Sequence, residues 1–176
     1  MKRLTLSILM TLVFVLCANA QGLHFGYFSY DAVLKAMPEY ALVQKKLADL
    51  RAQYEAEATR AEEDFNTKYE QFLDGQRDFP QTILQKRQTE LQELMERNIA
   101  FKAEGRRQLA AAEQEAMAPL HQKLKTAVQQ IGMERGYAFV LNTDQNACPF
   151  INPAMGEDIN KTVQEVLNAE NAESAE

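Results

Sequence analysis

Residues that carry chemistry are scarce in this chain. It has two histidines and two cysteines in 176 residues. A zinc site needs three or four N, S or O ligands, and His24, His121 and Cys148 stand far apart in the sequence. No Glu-x-x-His pair occurs, which weighs against a di-iron helix bundle. There is no glycine-rich phosphate loop either: Gly22 and Gly26 flank apolar residues at the wrong spacing. Carboxylates such as Glu55, Glu57, Glu62, Glu63 and Asp64 are plentiful. They sit on a helical pattern with no shielded pocket to hold two of them at a fixed separation, as acid–base catalysis requires. The expectation is therefore no catalytic residue, no metal, no cofactor and no enzyme.

Long apolar runs are missing after the first 20 residues. Those 20 read as an export signal: Lys2 and Arg3, an apolar stretch over 4–17, then Ala18-Asn19-Ala20 before Gln21. The run is short for a membrane anchor, which needs about 20 apolar residues. A lipoprotein would lipidate Cys17, but Leu16 occupies the preceding position where a small residue is expected. Loss of Lys2 and Arg3 takes the formal charge from −6 to −8 and leaves Cys148 as the one cysteine. No internal disulfide can then form. Apolar neighbours Ala147, Phe150 and Ile151 suggest a buried thiol.

What is abundant is helical periodicity. Two runs of nearly equal length, 38–74 and 80–117, are separated by Asp74-Gly75-Gln76-Arg77-Asp78-Phe79. At 1.5 Å per residue each makes a helix of roughly 55 Å, and the pair reads as an antiparallel hairpin. The first run places Val43, Leu47, Leu50, Tyr54, Ala58, Ala61, Phe65, Tyr69 and Phe72 on one stripe with a mean step near 3.6. The return run offers Leu84, Leu91, Leu94, Met95, Phe101 and Leu109, with Asn98 and Gly105 where larger apolar groups would be expected. Gly105 costs about 1 kcal/mol against Ala in a helix and marks a weak point. Gly75 suits a left-handed cap and Pro80 a helix start. Pro119 should kink or restart the second helix, at a cost of about 3 kcal/mol.

The flanks are different. Leu23, Phe25 and Tyr27 alternate on one face of a short strand, and Ser29 or Asp31 suits the cap of a short helix. Residues 137–141 are apolar on both faces and read as a central strand. Residues 142–146 form a turn cluster, and 147–151 a third strand that Pro149 demotes to an edge. A last helix over 157–167 precedes a polar tail expected to be disordered. Three short strands cannot close a sheet, so their edges invite other copies of the chain. The predicted organisation is a signal at 1–20, an oligomerisation body from 21–37 and 119–168, a hairpin arm at 38–118, and a disordered tail at 169–176. The fold class is mostly α with a small β body, the long antiparallel hairpin being inserted in the short-stranded body.

Charge separates the same regions. Residues 38–135 carry 15 basic and 17 acidic side chains, whereas the rest of the exported chain has Lys35 and Lys161 against eight acids. An acidic exported protein is a poor partner for nucleic acid. Basic pairs Lys86-Arg87 and Arg106-Arg107 leave weak contact with lipid phosphate as a lesser candidate, an ordinary solvated face being the simpler reading. Aromatic side chains accumulate towards the tip, at Phe65, Tyr69, Phe72 and Phe79. Some must pair the helices. A two-helix hairpin cannot cover them all, and exposed apolar surface marks a binding face.

The chain resembles the Skp/OmpH family of periplasmic chaperones. The resemblance rests on the run Gly26-Tyr27-Phe28-Ser29-Tyr30-Asp31-Ala32-Val33-Leu34 and on Met37-Pro38-Glu39-Tyr40. Gly136-Tyr137-Ala138-Phe139-Val140-Leu141 and Asp158-Ile159 with Val163 complete it, in that order around the hairpin. It implies a Skp-like homotrimer whose strands build a central barrel and whose arms hold unfolded outer-membrane proteins in the periplasm without ATP. These arms are nearer neutral than the strongly basic arms of well-known members, so a strong lipopolysaccharide site is not expected. On this reading Leu23, Phe25, Tyr27, Phe139 and Leu141 form the oligomer interface. Phe65, Tyr69, Phe72, Phe79 and Ile83 are the candidate client contacts. The alternative is a structural envelope adaptor whose hairpin docks to one folded partner complex.

Overall fold

The computed structural model describes residues 23–173, so the expected signal segment lies outside the described residues. In chain order the elements are β1 (Phe25–Phe28), α1 (Tyr30–Ala36), α2 (Pro38–Gly75) and α3 (Gln81–Glu134). Then come β2 (Val140–Asn142), a 3-10 turn (Asp144–Asn146), β3 (Gly156–Asp158) and α4 (Asn160–Glu173). The fold is mostly α with a small sheet. It divides into two compact units, one comprising the described residues up to Met37 and from His121 onward, the other Pro38–Leu120.

In the first unit β1 is the central strand, in the order β2-β1-β3, and both pairings are parallel. This differs from the expected central strand at 137–141. Of that segment only Val140 and Leu141 are strand, in a strand that continues to Asn142 and lies at an edge. Residues 147–151 are not strand, and the third strand is Gly156–Asp158. Pro149 and the exposed Phe150 explain why the more apolar segment does not pair. Cys148 is half-exposed rather than buried, because Phe150 beside it is 81% exposed and covers nothing.

The core of this unit is a helical layer. Val33, Leu34 and Met37 come from α1, Leu124, Ala127 and Ile131 from α3, and Ile159, Val163 and Leu167 reach in from the start and face of α4. Steps of three and four residues put each set on one helical stripe. Fully burying a residue such as Leu124 or Ile131 is worth about 1.5–3 kcal/mol. That stripe accounts for Pro119. The helix runs through it unbroken from Gln81 to Glu134, not restarting as expected. The buried Leu120, Leu124, Ala127 and Ile131 beyond the proline offset its cost of about 3 kcal/mol. At the other end of the chain α4 continues to Glu173, past the expected end at Leu167 and through most of the segment expected to be disordered.

Helix α3 ends in a Schellman turn. Tyr137 N–H donates to the Gly132 carbonyl at 2.9 Å and Gly136 N–H to Met133 at 3.2 Å. Gly136, at φ 63°, is the left-handed residue this turn requires. The chain then runs directly onto β1, with Ala138 N–H donating to His24 O at 2.9 Å and Gly26 N–H to Phe139 O at 3.2 Å.

The second unit is the antiparallel hairpin of α2 with the first part of α3. Its register is legible in cross-helix contacts. Asn98 Nδ2 donates to the Ala61 carbonyl at 3.0 Å, Lys102 pairs with Glu62, and the rings of Tyr54 and Phe101 lie 6.0 Å apart. Gly75 does not take a left-handed cap, since Gly136 is the one glycine with positive φ among the described residues. Its use is steric: the Phe79 ring lies where a side chain at Gly75 would be.

Candidate functional site

Two surfaces compete for a functional role, one in each unit. On the sheet, residues 25 and 27 share one face by strand alternation. The parallel register sets Tyr27 beside Leu141, so Phe139 and Leu141 join that face. Phe25 and Phe139 stack at 5.2 Å. The opposite face turns Gly26 and Phe28 inward, with Ile159 and Tyr137 against Gly26. Phe25, Tyr27, Phe139 and Leu141 are thus brought together, while Leu23 precedes the strand. Leu23 and Phe139 are 50% and 41% exposed, Tyr27 and Leu141 are half-buried, and Phe25 is covered. An apolar sheet face left open, on strands with unpaired outer edges, is the kind of surface other chains cover.

A belt of polar contacts holds this sheet in place. Tyr137 Oη donates to Glu157, which also pairs with Arg135. The Tyr137 hydroxyl, and after it Arg135, holds the Glu157 carboxyl below the usual carboxylate range. Burial, then the neighbouring Glu157, pushes Tyr137 up. On the other side, the four amides that open α1 each find a side-chain acceptor. Ser29 N–H donates to Asn160 Oδ1 at 3.0 Å and Tyr30 N–H to Asn142 Oδ1 at 3.2 Å. Asp31 N–H donates to Asp144 Oδ2 at 2.8 Å and Ala32 N–H to Ser29 Oγ at 3.1 Å. Ser29 Oγ in turn donates to Asp144 Oδ1 at 2.5 Å, which, with the Asp31 amide, holds Asp144 low. Sequence reasoning found the Ser29 cap but read Asn142 and Asp144 only as turn formers. Their distance of over 110 residues from α1 leaves no local signal.

On the hairpin, the expected client contacts do not form one cluster. Phe72, near the end of α2, and Phe79, in the turn before α3, are half-buried and line a small cavity near the tip with Leu91 and Leu94. Tyr69 and Ile83 face outward at 44% and 42% exposure. Phe65 stacks on Tyr69 at 5.9 Å within α2. Leu73 and Ile99 are further exposed apolar residues that the sequence reading did not single out, and Met95, expected on the stripe facing the partner helix, is 47% exposed. Of the basic residues, Lys86 and Arg87 both pair with Glu90, and Arg107 pairs with Glu104. Among the described residues there is no group of three or more side chains able to hold a metal. No described helix is long and apolar enough to cross a membrane.

The family model for outer membrane protein (OmpH-like) matches residues 24–169, from the start of β1 through most of α4. The chain belongs to the OmpH-like family. Its fold is also that of a solved OmpH-like structure from Caulobacter crescentus CB15, a protein with a proposed outer membrane chaperone role. The two superpose with a TM-score of 0.67 at 23% identity, over 83% of this chain and 84% of that one. No curated protein matches. The OmpH-like match spans both units, so the open sheet face and the hairpin both lie within the family's extent.

Proposed function

We propose that this OmpH-like protein is a non-enzymatic, ATP-independent holdase of the periplasm that binds unfolded outer-membrane proteins and keeps them from aggregating. The observation that carries the reading is the hairpin's surface: Tyr69, Leu73, Ile83, Met95 and Ile99 are each more than two-fifths exposed. Apolar contacts of this kind are non-directional, so they tolerate many partner sequences. Family membership and the role proposed for the Caulobacter relative support it. The N-terminal signal supplies the route to the periplasm, and the sheet face of Leu23, Phe25, Tyr27, Phe139 and Leu141 supplies the surface for a homotrimer.

The test is light scattering as a urea-unfolded outer-membrane barrel protein is diluted into buffer without nucleotide. About one trimer of the processed chain per client should suppress the scattering. Continued aggregation beside an intact oligomer overturns the holdase reading in favour of an adaptor with a folded partner. Assembly is tested separately: Phe139→Asp puts a charge on the shared face and should lower the mass in solution about threefold. An unchanged mass rejects that face as the interface.

A further inference from the structure

The middle of the hairpin carries a furrow made of two adjoining hollows. One part, of about 440 Å3, has Tyr54, Ala58, Phe101 and Leu109 in its lining. The other, of about 300 Å3, is lined by Phe65, Met95 and Ile99 among others. Glu62 and Lys102 line both parts and pair with each other, so their ion pair crosses the furrow as a strap. The hollow exists because small residues face it. Gly105 is buried, and a Cβ there would stand 3.0 Å from Tyr54 Cδ1, so the Tyr54 ring lies flat on the α3 backbone.

The rim differs in chemistry from the floor. Arg51, Glu55, Thr59 and Arg106 flank the larger part and Asn66 the smaller. Among the described residues, the side chains of these five take part in no hydrogen bond or ion pair, whereas Glu62 and Lys102 neutralise each other. From position 51 to position 66 α2 advances about 22 Å, the span of about seven residues of extended chain. An apolar floor with donors and an acceptor, Glu55, along its edges matches an extended polypeptide, whose backbone offers both. Such a segment buries alternate side chains and leaves backbone carbonyls at the rim that need donors.

We propose that this furrow binds an extended, apolar segment of about seven residues from an unfolded client, with one large side chain seated against Tyr54 and Phe101. The inference deepens the holdase reading and rests on it, moving the principal contact from the tip to mid-hairpin.

The protein contains no tryptophan, so single reporters can be placed in the full processed chain. Thr59→Trp sits on the rim, and Glu57→Trp about half a turn round α2 serves as the control. Each is mixed with a tryptophan-free, urea-unfolded outer-membrane protein while scattering is recorded in parallel. The expected result is suppressed scattering, a blue shift at position 59 and none at 57. Adding Ala58→Leu to the Thr59→Trp chain, which fills the floor, should raise the half-saturating client concentration about tenfold. Suppressed scattering with no shift at 59, or with equal shifts at both positions, overturns the furrow and leaves the holdase reading standing. A shift at 59 without suppression supports the furrow and overturns the holdase. Absence of both overturns the two together. A shift with laurate but not with the unfolded protein also overturns it, the occupant then being an acyl chain. Circular dichroism confirms that Ala58→Leu keeps its helices, and an unchanged client affinity in that folded variant overturns the proposed seat.

Discussion

Among the described residues, eleven of the thirteen buried hydrophobic side chains lie in the unit that carries the sheet, and two lie in the hairpin. Both regions are helical and both carry apolar stripes. They differ in how many neighbours a helix has. In the sheet unit α1, α4 and the end of α3 pack with a sheet, so a stripe is covered from several directions. In the hairpin each helix has one partner, and side chains such as Ile99, at 62% exposure, stay in water. The first arrangement yields stability and the second yields accessible apolar surface.

That contrast can be broken most directly by truncation. Leu124→Ala removes a side chain with no exposed surface and should cost about 2–5 kcal/mol in urea unfolding. Leu73→Ala, at a site 43% exposed, should change stability by less than about 0.5 kcal/mol. Equal costs would remove the distinction between the units. A smaller effect tests the polar clasp of the sheet unit. Asp144→Ala withdraws the acceptor of both Ser29 Oγ and the Asp31 amide and should cost about 1–3 kcal/mol. The Asp144 carboxyl is held low in the folded state, so its contribution is complete above the unfolded value of about 3.9 and fades as pH falls through the folded value. The gap between wild type and Asp144→Ala should therefore close in acid. A gap independent of pH would assign the cost to packing instead.

The smallest expected effect sharpens the hairpin side. Gly105→Ala gains about 1 kcal/mol of helix propensity but sets a methyl against the Tyr54 ring. The two should nearly cancel. In a Tyr54→Ala background the same substitution should stabilise by close to the full propensity gain, as a double-mutant cycle in thermal unfolding would show. Equal effects in the two backgrounds would mean that the ring does not press on the glycine.

How much was legible follows from how local each signal is. The hairpin was readable because Val43 through Phe72 repeat every 3.6 residues, and a helix is made within its own segment. Asn98 and Gly105 looked like defects in the return stripe. In three dimensions one side chain bonds the Ala61 carbonyl and the other makes room for Tyr54. Strand β3 was not legible: Gly156-Glu157-Asp158 has no apolar alternation and is a strand because β1 lies beside it. Pro119 misled for a related reason, since local propensity argues for a break while the buried residues beyond it hold the helix. The aromatic residues near the tip were visible as a cluster in sequence, yet Phe72 and Phe79 line a cavity while Tyr69 and Ile83 face water.

By itself, then, the amino-acid sequence determined what depends on neighbours a few residues away: two long helices, the turn between them, the Ser29 cap and the apolar alternation of β1. Tertiary structure alone decided the strand order, the parallel register, the side-chain acceptors that open α1 and the furrow at mid-hairpin. Each of these depends on groups brought together from distant parts of the chain, and no spacing along the sequence records which distant residues will meet.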